Sequence, residues 1–113
     1  MYLVNGNKKL KINKINKLIG LMFKKDPIKE GYIFYNCNAI HTFFMRQNID
    51  VIMIDKNNKI VLIKENVKRN KIIIKKEGII TLELPLGTSK GYKVNDIIKI
   101  IDQWNLLFFS LIN

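Results

Sequence analysis

The stretch of residues 38–55 constrains the fold more than any other part of the chain. It holds two apolar runs, residues 40–45 and 51–54, which are joined by a short polar hinge. Both runs have the composition of strands. The run 40–45 is apolar on both faces except for His41 and Thr42, and such a strand is expected to be buried on both. Since an unpaired buried charge costs several kcal/mol or more, Asp50 and Asp55 beside the second run are predicted to have hydrogen-bond partners.

The rest of the chain repeats this pattern of short apolar runs and polar turns. Isoleucine contributes 21 of the 113 residues, and its β-branched side chain favours strands over helices. Asn5-Gly6-Asn7 predicts an opening hairpin, and residues 55–59 predict a turn between the runs 51–54 and 60–63. Further strands are predicted at residues 2–4, 10–12, 31–35, 72–74, 79–84 and 97–101. We therefore predict a mainly β fold, a β-sandwich or a partly closed barrel, with residues 1–113 in a single domain.

Two segments have helical periodicity instead. Four apolar residues fall on one face of a short α-helix near residues 14–23, with Asn13 as a suitable N-cap. In the C-terminal segment 102–113, Trp104, Leu107, Phe108 and Leu111 have the same spacing, which predicts a terminal helix packed on the sheet. If this tail is exposed instead, it would provide a homodimer contact or a membrane-surface contact.

Charge and composition limit the classes of function. The chain is 48% hydrophobic and 26% charged, which is typical of a globular protein, and its formal net charge is +11. Such a charge suits anionic partners, but the cations are 18 lysines and 2 arginines. Because nucleic-acid readers rely on the planar fork of arginine, a solvated lysine surface is the simpler interpretation and nucleic acid is not the favoured partner.

The single cysteine, Cys37, excludes an internal disulfide and leaves too few thiols for a zinc site built from thiolates. We predict that it is a small buried residue. No apolar stretch is long enough to span a bilayer, and the chain becomes polar too soon after Met1 for a signal peptide. A cytoplasmic location is therefore expected.

Five polar residues at or near strand positions are the candidates for a functional site: His41, Thr42, Asp50, Asp55 and Glu83. His41 could act as a general base beside a carboxylate, or could be a structural residue bonded to Asp50 or to the backbone. Asp50 could be an acid or a ligand, or could bind backbone N–H groups of the 47–48 hinge. Asp55 begins a turn that it can stabilise, and Glu83 belongs either to the surface or to the wall of a pocket.

The spacing of these residues does not demand a metal ion, and no cofactor is predicted. His41, Asp50 and Glu83 match a set of one imidazole and two carboxylates in number alone. The run 87–91, Gly-Thr-Ser-Lys-Gly, has the composition of a phosphate loop but lacks its glycine spacing and its following helix. Ser89 within this run lacks the context of a catalytic nucleophile.

Several separated motifs occur in an order that is typical of one protein family. They are Gly20-Leu21-Met22, Gly31, Cys37-Asn38-Ala39-Ile40-His41-Thr42-Phe43-Phe44-Met45-Arg46, Ile49-Asp50-Val51 with Asp55, Leu82-Glu83-Leu84-Pro85, Gly87-Thr88 and Asn95-Asp96. In this respect the chain resembles the domain of unknown function 192 over about residues 8–101, which leaves residues 102–113 outside as an extension. The resemblance implies a compact, mostly β domain with one helix that carries Gly20-Leu21-Met22. It implies no activity, because the family is uncharacterised.

Three hypotheses for the function follow. The first is a non-catalytic binding module whose cleft is lined by residues 41–50 and 83–88, for a small polar ligand, a peptide segment or a partner protein. The second is a hydrolase-like enzyme that uses His41 with a carboxylate. The third is a basic nucleic-acid or membrane-surface binder that uses the lysines and residues 106–112. The first is favoured, because a single histidine without a positioned nucleophile is a weak catalytic signal.

Overall fold

The computed structural model describes residues 1–15 and 25–102, which form nine strands and one 3₁₀ turn. The strands are β1 (Tyr2–Asn5), β2 (Lys8–Lys14), β3 (Gly31–Tyr35), β4 (Ala39–His41), β5 (Ile49–Ile54), β6 (Ile60–Val67), β7 (Ile72–Ile74), β8 (Ile80–Leu84) and β9 (Lys99–Ile101), and the turn is Thr88–Gly91. Seven strands form one sheet in the order β6-β5-β8-β3-β2-β1-β9, while β4 and β7 form a separate antiparallel pair. The large sheet is curled into a half-barrel, which confirms the predicted mainly β fold.

Strand β5 is buried along its whole length, between β6 and β8. Its residues alternate between two cores, as the pleat of a strand requires. Ile52 and Ile54 belong to the main core: Leu3, Ile12, Ile33, Ile52, Ile54, Ile60, Leu82, Leu84 and Ile98. Val51 and Met53 belong to the second core, on the other face: Ile28, Met45, Ile49, Val51, Met53, Val67 and Ile73. Residues 51–54 are therefore buried on both faces, the position that the sequence had predicted for residues 40–45.

The first apolar run behaves differently. Only Ala39–His41 forms a strand, and it pairs with Ile72–Ile74 outside the large sheet. Ile40 and Ile73 pack on the second core, whereas the alternate residues of both strands are exposed. The prediction of a strand over residues 40–45 that is buried on both faces was wrong, because apolar content does not reveal which strand a run will pair with.

The predicted turns are present. Strands β1 and β2 form the opening hairpin, with Gly6 in the left-handed region at a φ of 61°. At the second turn the Asp55 N–H donates to the Lys59 carbonyl at 2.9 Å, and β5 and β6 pair on either side. Strand β6 runs on to Val67, beyond the predicted end at residue 63. Cys37 is buried with a free thiol, as predicted.

Both predicted helices fall mainly on residues that lie outside the described ones, 16–24 and 103–113. Strand β2 extends to Lys14, so Asn13 is a strand residue and not a helix N-cap. Residues 1–15 and 25–102 contain no α-helix. In the same part of the chain, no helix has the length and apolar character needed to cross a membrane.

Candidate functional site

Asp50, the second residue of β5, is 1% exposed and surrounded by hydrogen-bond donors. Its Oδ1 accepts the N–H of Asn66 at 3.0 Å. Its Oδ2 accepts the N–H of Gly87 at 3.0 Å, the N–H of Ser89 at 2.9 Å and the Ser89 hydroxyl at 2.7 Å. Burial is the largest influence on the pKa of Asp50 and would raise it, but the hydrogen bonds together hold the pKa below its ordinary value. Asp50 is therefore an ionised structural anchor.

Two local features of the backbone supply these donors. The register of β5 against β6 shifts between Ile49 and Val51, and Asn66 on the bulged strand has a φ of 52°. Gly87 has a φ of 94°, which glycine adopts without steric cost, and its N–H turns toward Asp50. The partners of Asp50 thus lie 16 to 39 positions away along the chain, instead of in the 47–48 hinge.

Thr42 also binds backbone groups. It is fully buried, its hydroxyl donates to the Lys68 carbonyl at 2.7 Å, and the same oxygen accepts the Lys71 N–H at 2.8 Å. The Thr42 N–H donates to the Lys71 carbonyl at 2.9 Å. Thr42 therefore fixes the end of β4 to the segment before β7.

His41 and Asp55 each stabilise a local turn. The exposed His41 accepts the Phe43 N–H at Nδ1, 3.2 Å away, and its ring stacks on that of Phe43 with 4.9 Å between centroids. Asp55 Oδ1 accepts the N–H groups of Lys59 at 3.0 Å and Asn57 at 2.8 Å. These two bonds, with the bond from Lys59 the stronger influence, lower the pKa of Asp55.

Glu83 differs from the other candidates because part of its carboxyl group has no partner. It lies in β8 between Tyr32 of β3 and Val51 of β5, and is 5% exposed. Its buried Oε2 has no hydrogen-bond partner in the described part of the chain. Burial raises the pKa of Glu83 from its ordinary value of 4.5 to about 7.

The predicted site residues do not converge on one surface. Asp50 shares the face of β5 with Ile52 of the main core, whereas Glu83 shares a face with Val51 of the second core. His41 lies on the outer β4–β7 pair, and no described carboxylate is hydrogen-bonded to it. Nor do residues 1–15 and 25–102 bring together three or more histidine, cysteine, aspartate or glutamate side chains that could hold a metal ion.

A groove of about 510 Å³ lies between the β1–β2 hairpin and the 87–91 loop. Its polar lining residues are Asn5, Lys8, Lys9, Thr88, Lys90 and Tyr92. No described acidic residue lines it, and the ion pairs among described residues join Lys11 to Glu30 and Lys75 to Glu77. None of the three lysines of the groove forms an ion pair with a described residue, although Lys90 also borders a hollow that Asp50 and Glu65 line. We call this feature the lysine groove.

Asn5, Gly91 and Asp50 hold the lysine groove in shape. The Asn5 Nδ2 donates to the Gly91 carbonyl at 3.0 Å, and a Cβ added at Gly91 would lie 2.7 Å from that nitrogen. Any side chain at position 91 would therefore displace the Asn5 amide from this position. On the other side of the loop, Asp50 binds Gly87 and Ser89, and Lys90 also lines a hollow of about 230 Å³ beside Asp50.

The lysine groove was not predicted from the sequence. Lys8 and Lys90 lie on a hairpin and a loop at opposite ends of the chain, and no local pattern indicates that they meet. In the 87–91 run, which has the composition of a phosphate loop, the N–H groups of Gly87 and Ser89 donate to Asp50. The close Asn5–Gly91 contact depends on the fold and could not be read from spacing.

The fold and this site define a small β domain whose curled sheet carries a loop anchored by a buried carboxylate. The chain belongs to the family described as "Uncharacterized ACR", the domain of unknown function 192, whose family model matches residues 9–100. This membership confirms the resemblance seen in the sequence motifs.

Two solved structures have a similar fold. One is a protein of unknown function from Novosphingobium aromaticivorans, with 16% identity, a TM-score of 0.70, and coverage of 88% of this chain and 82% of that one. The other is a proposed transcription regulator from Sinorhizobium meliloti, with 21% identity, a TM-score of 0.70, and coverage of 87% of this chain and 89% of that one. At these identities the likeness shows the fold alone. No curated protein matches the chain in sequence.

Proposed function

We propose that the chain is a non-catalytic binding module that holds a small anionic ligand in the lysine groove. The observation that carries this proposal is that Lys8, Lys9 and Lys90 line one concave surface that no described acid lines. Ammonium groups bind phosphate and carboxylate groups as compact point charges. The volume of about 510 Å³ lies within the range of small-molecule sites.

The enzyme hypothesis has less support. His41 is occupied by the Phe43 N–H and is not bonded to a described carboxylate, so it lacks the partner that a general base requires. Asp50 and Thr42 are occupied by backbone groups that they hold in place. These residues support the structure of the domain in this proposal and do not take part in chemistry.

Nucleic acid is a weaker candidate for the ligand, although one neighbour is described as a proposed transcription regulator. The groove offers lysines and no arginine, and bidentate recognition of bases requires the guanidinium fork. A cytoplasmic location stays a prediction, as does the assignment of residues 1–113 to one domain.

Titration calorimetry with inorganic pyrophosphate tests the proposal. We expect binding by the wild-type chain that weakens as salt is added, because exposed charges are screened. In the double variant Lys8→Gln/Lys90→Gln the affinity should fall by at least about tenfold, since a hydrogen bond to a charged group contributes ~1.5–3 kcal/mol.

The control is Lys56→Gln/Lys59→Gln, which removes the same charge from the exposed turn between β5 and β6. Its affinity should stay within about twofold of wild type, since its lysines lie outside the groove. Equal losses in both double variants would mean that binding follows net charge and not the groove. Absence of binding to pyrophosphate, phosphate and citrate by the wild-type chain would also contradict the proposal.

A further inference from the structure

The outer face of the β4–β7 pair is apolar and exposed. Ile72 and Ile74 are 64% and 65% exposed, and their cross-strand partners His41 and Ala39 are exposed beside them. Phe43 extends the face, since its ring stacks on that of His41. Contiguous exposed apolar side chains rimmed by polar residues mark an interaction surface more often than scattered ones do.

Thr42 fixes a basic loop, residues 68–71, next to this apolar face. Its hydroxyl binds the Lys68 carbonyl and the Lys71 N–H, and its own N–H donates to the Lys71 carbonyl. These bonds hold the turn that carries Phe44 beside the loop. Phe44 is 62% exposed and has a φ of 65°, a conformation that bulky residues rarely adopt.

The turn and the loop carry four exposed cations: Arg46, Lys68, Arg69 and Lys71. None of them forms an ion pair with a described residue. A groove of about 340 Å³ opens beside Ile72, and its lining contains Lys64, Lys68 and Lys71 against one acid, Glu65. Exposed apolar side chains and uncompensated cations thus occupy the same side of the molecule.

We propose that this face docks on an anionic lipid bilayer. Phe44, Ile72 and Ile74 would enter the headgroup region, while the cations neutralise lipid phosphates and carboxylates. The groove of about 340 Å³ beside Ile72 has room for part of a lipid headgroup. This proposal is independent of the ligand in the lysine groove, which opens on the other face of the large sheet, where Leu3 and Leu10 pack with the main core.

Two other occupants fit this face less well. A second copy of the chain would bring the same four cations against their equivalents, and each copy has a net charge of +11. An acidic protein partner is less suited because protein–protein interfaces are depleted in lysine. The negative potential of a bilayer surface attracts lysine and arginine alike and requires no directional pairing.

Co-sedimentation of the full chain with large vesicles tests the proposal. We expect binding to phosphatidylcholine vesicles that contain phosphatidylserine, weak binding to phosphatidylcholine alone, and a decrease with added salt. The variant Lys68→Gln/Lys71→Gln should bind at least about tenfold more weakly, since each cation near an anionic surface contributes roughly fivefold. The matched control is Lys56→Gln/Lys59→Gln, which removes the same charge from the exposed turn between β5 and β6.

Two variants test the apolar part of the face without disturbing the fold. Phe44→Asn removes the ring and keeps a residue that tolerates a positive φ, and Ile72→Thr/Ile74→Thr keeps β-branched side chains in β7. Each should lower vesicle binding several-fold. Val94→Asn is the control, because it removes a side chain that is 50% exposed in another turn.

Three outcomes would overturn the proposal. The first is no binding to phosphatidylserine vesicles by the wild-type chain. The second is an equal loss in both lysine double variants, which would indicate diffuse attraction by net charge. The third is retention on immobilised polyglutamate that depends on Lys68 and Lys71 without vesicle binding, which would assign the face to an acidic protein. Pyrophosphate binding by the Lys68→Gln/Lys71→Gln variant separates a failure here from a failure of the lysine groove.

Discussion

Asp50 and Glu83 are two buried carboxyl groups on neighbouring strands, but their pKa values are shifted in opposite directions. Their side chains are 1% and 5% exposed, so the depth of burial does not explain the difference. Asp50 receives four hydrogen bonds and has a lowered pKa, whereas Glu83 has an unpartnered Oε2 and a pKa raised to about 7. The difference is in the supply of hydrogen-bond donors around each group.

The pattern of strand pairing explains why hydrogen-bond donors surround Asp50 and not Glu83. Glu83 is flanked by Tyr32 and Val51 in regular registers, and a regular ladder uses its N–H groups for strand pairing. Asp50 lies opposite the β6 bulge and beside the 87–91 loop, where the ladder is interrupted and N–H groups are free to turn toward it. In this domain the pKa of a buried carboxyl group is lowered where strand pairing is interrupted and raised where pairing is intact.

The largest expected effect comes from Asp50→Ala, which leaves the N–H groups of Asn66, Gly87 and Ser89 and the buried Ser89 hydroxyl without their acceptor. We expect the free energy of unfolding in urea near neutral pH to fall by on the order of 4 kcal/mol. A loss below ~1 kcal/mol would show that water or a shifted side chain replaces the carboxylate. Asp50→Asn keeps one acceptor oxygen, so its free energy of unfolding should lie between those of Asp50→Ala and wild type.

Asp50 also makes the stability of the folded protein depend on pH in the acid range. Because its pKa is lower in the folded state, it contributes stability above its ordinary pKa of 3.8, and this is lost as the pH falls through the folded-state pKa. Acid unfolding followed by circular dichroism should therefore have a weaker dependence on pH in Asp50→Asn than in wild type. Identical acid profiles would contradict an ionised Asp50 in the folded state.

Glu83→Gln tests the other carboxyl group, for which the pH dependence of stability is expected to have the opposite sign. The folded state binds the proton more tightly, so wild type loses stability as the pH rises from 4.5 to about 7. A shift of that size corresponds to at most ~3 kcal/mol. We expect the unfolding free energy of the variant, relative to wild type, to rise by up to this amount across the interval. If the unfolding free energies of the two proteins changed in parallel with pH, the Glu83 carboxyl group would be in contact with water or with a hydrogen-bond donor.

Gly87→Ala tests the backbone conformation that turns the Gly87 N–H toward Asp50. A Cβ at this position would meet no atom within 4 Å, so its cost comes from the φ of 94° alone. We expect a loss of ~1–2 kcal/mol in unfolding free energy, because a side chain disfavours the left-handed region. Gly87→Asn, which tolerates that region better, is the matched variant and should lose less. Equal losses of unfolding free energy in the two variants would mean that a side-chain contact, and not the φ of residue 87, causes the loss.

Asp55→Ala should give the smallest change of the series. Its two accepted N–H groups lie in a partly exposed turn, where water can replace the carboxylate. A small decrease in melting temperature is expected, and Asp55→Asn should be close to wild type because its amide oxygen can accept both groups. A loss as large as that of Asp50→Ala would remove the distinction between a buried and an exposed anchor.

Particular residues show how far the sequence determines the fold. The run 51–54 was predicted as an apolar strand at the centre of the core, and β5 has that position, with both faces buried. The run 40–45 is also mostly apolar, yet within it and its neighbours only Ala39–His41 forms a strand, which pairs with β7 outside the large sheet. Periodicity describes the faces of a strand but not its partner, which is set by contacts distant in the chain.

The same limit applies to the candidate site. The cost of an unpaired charge correctly predicted that Asp50 has partners, but those partners are Asn66, Gly87 and Ser89 rather than the neighbouring hinge. The sequence does not decide whether Glu83 lies on the surface or in the wall of a pocket. The alternation of side chains along a strand cannot show that both faces of β8 are covered. The lysine groove joins a hairpin to a loop from the other end of the chain, and no local pattern signals such a meeting.

The pairing of β1 with β9 has a consequence for synthesis of the protein. Tyr2 lies opposite Ile101, so β1, which leaves the ribosome before the other described strands, cannot complete its hydrogen bonds until almost the whole described chain has emerged. During that interval one edge of β1 is unpaired, and strands that wait for distant partners fold slowly and aggregate readily. The nascent chain is therefore expected to need protection by chaperones for longer than a helical protein of the same length.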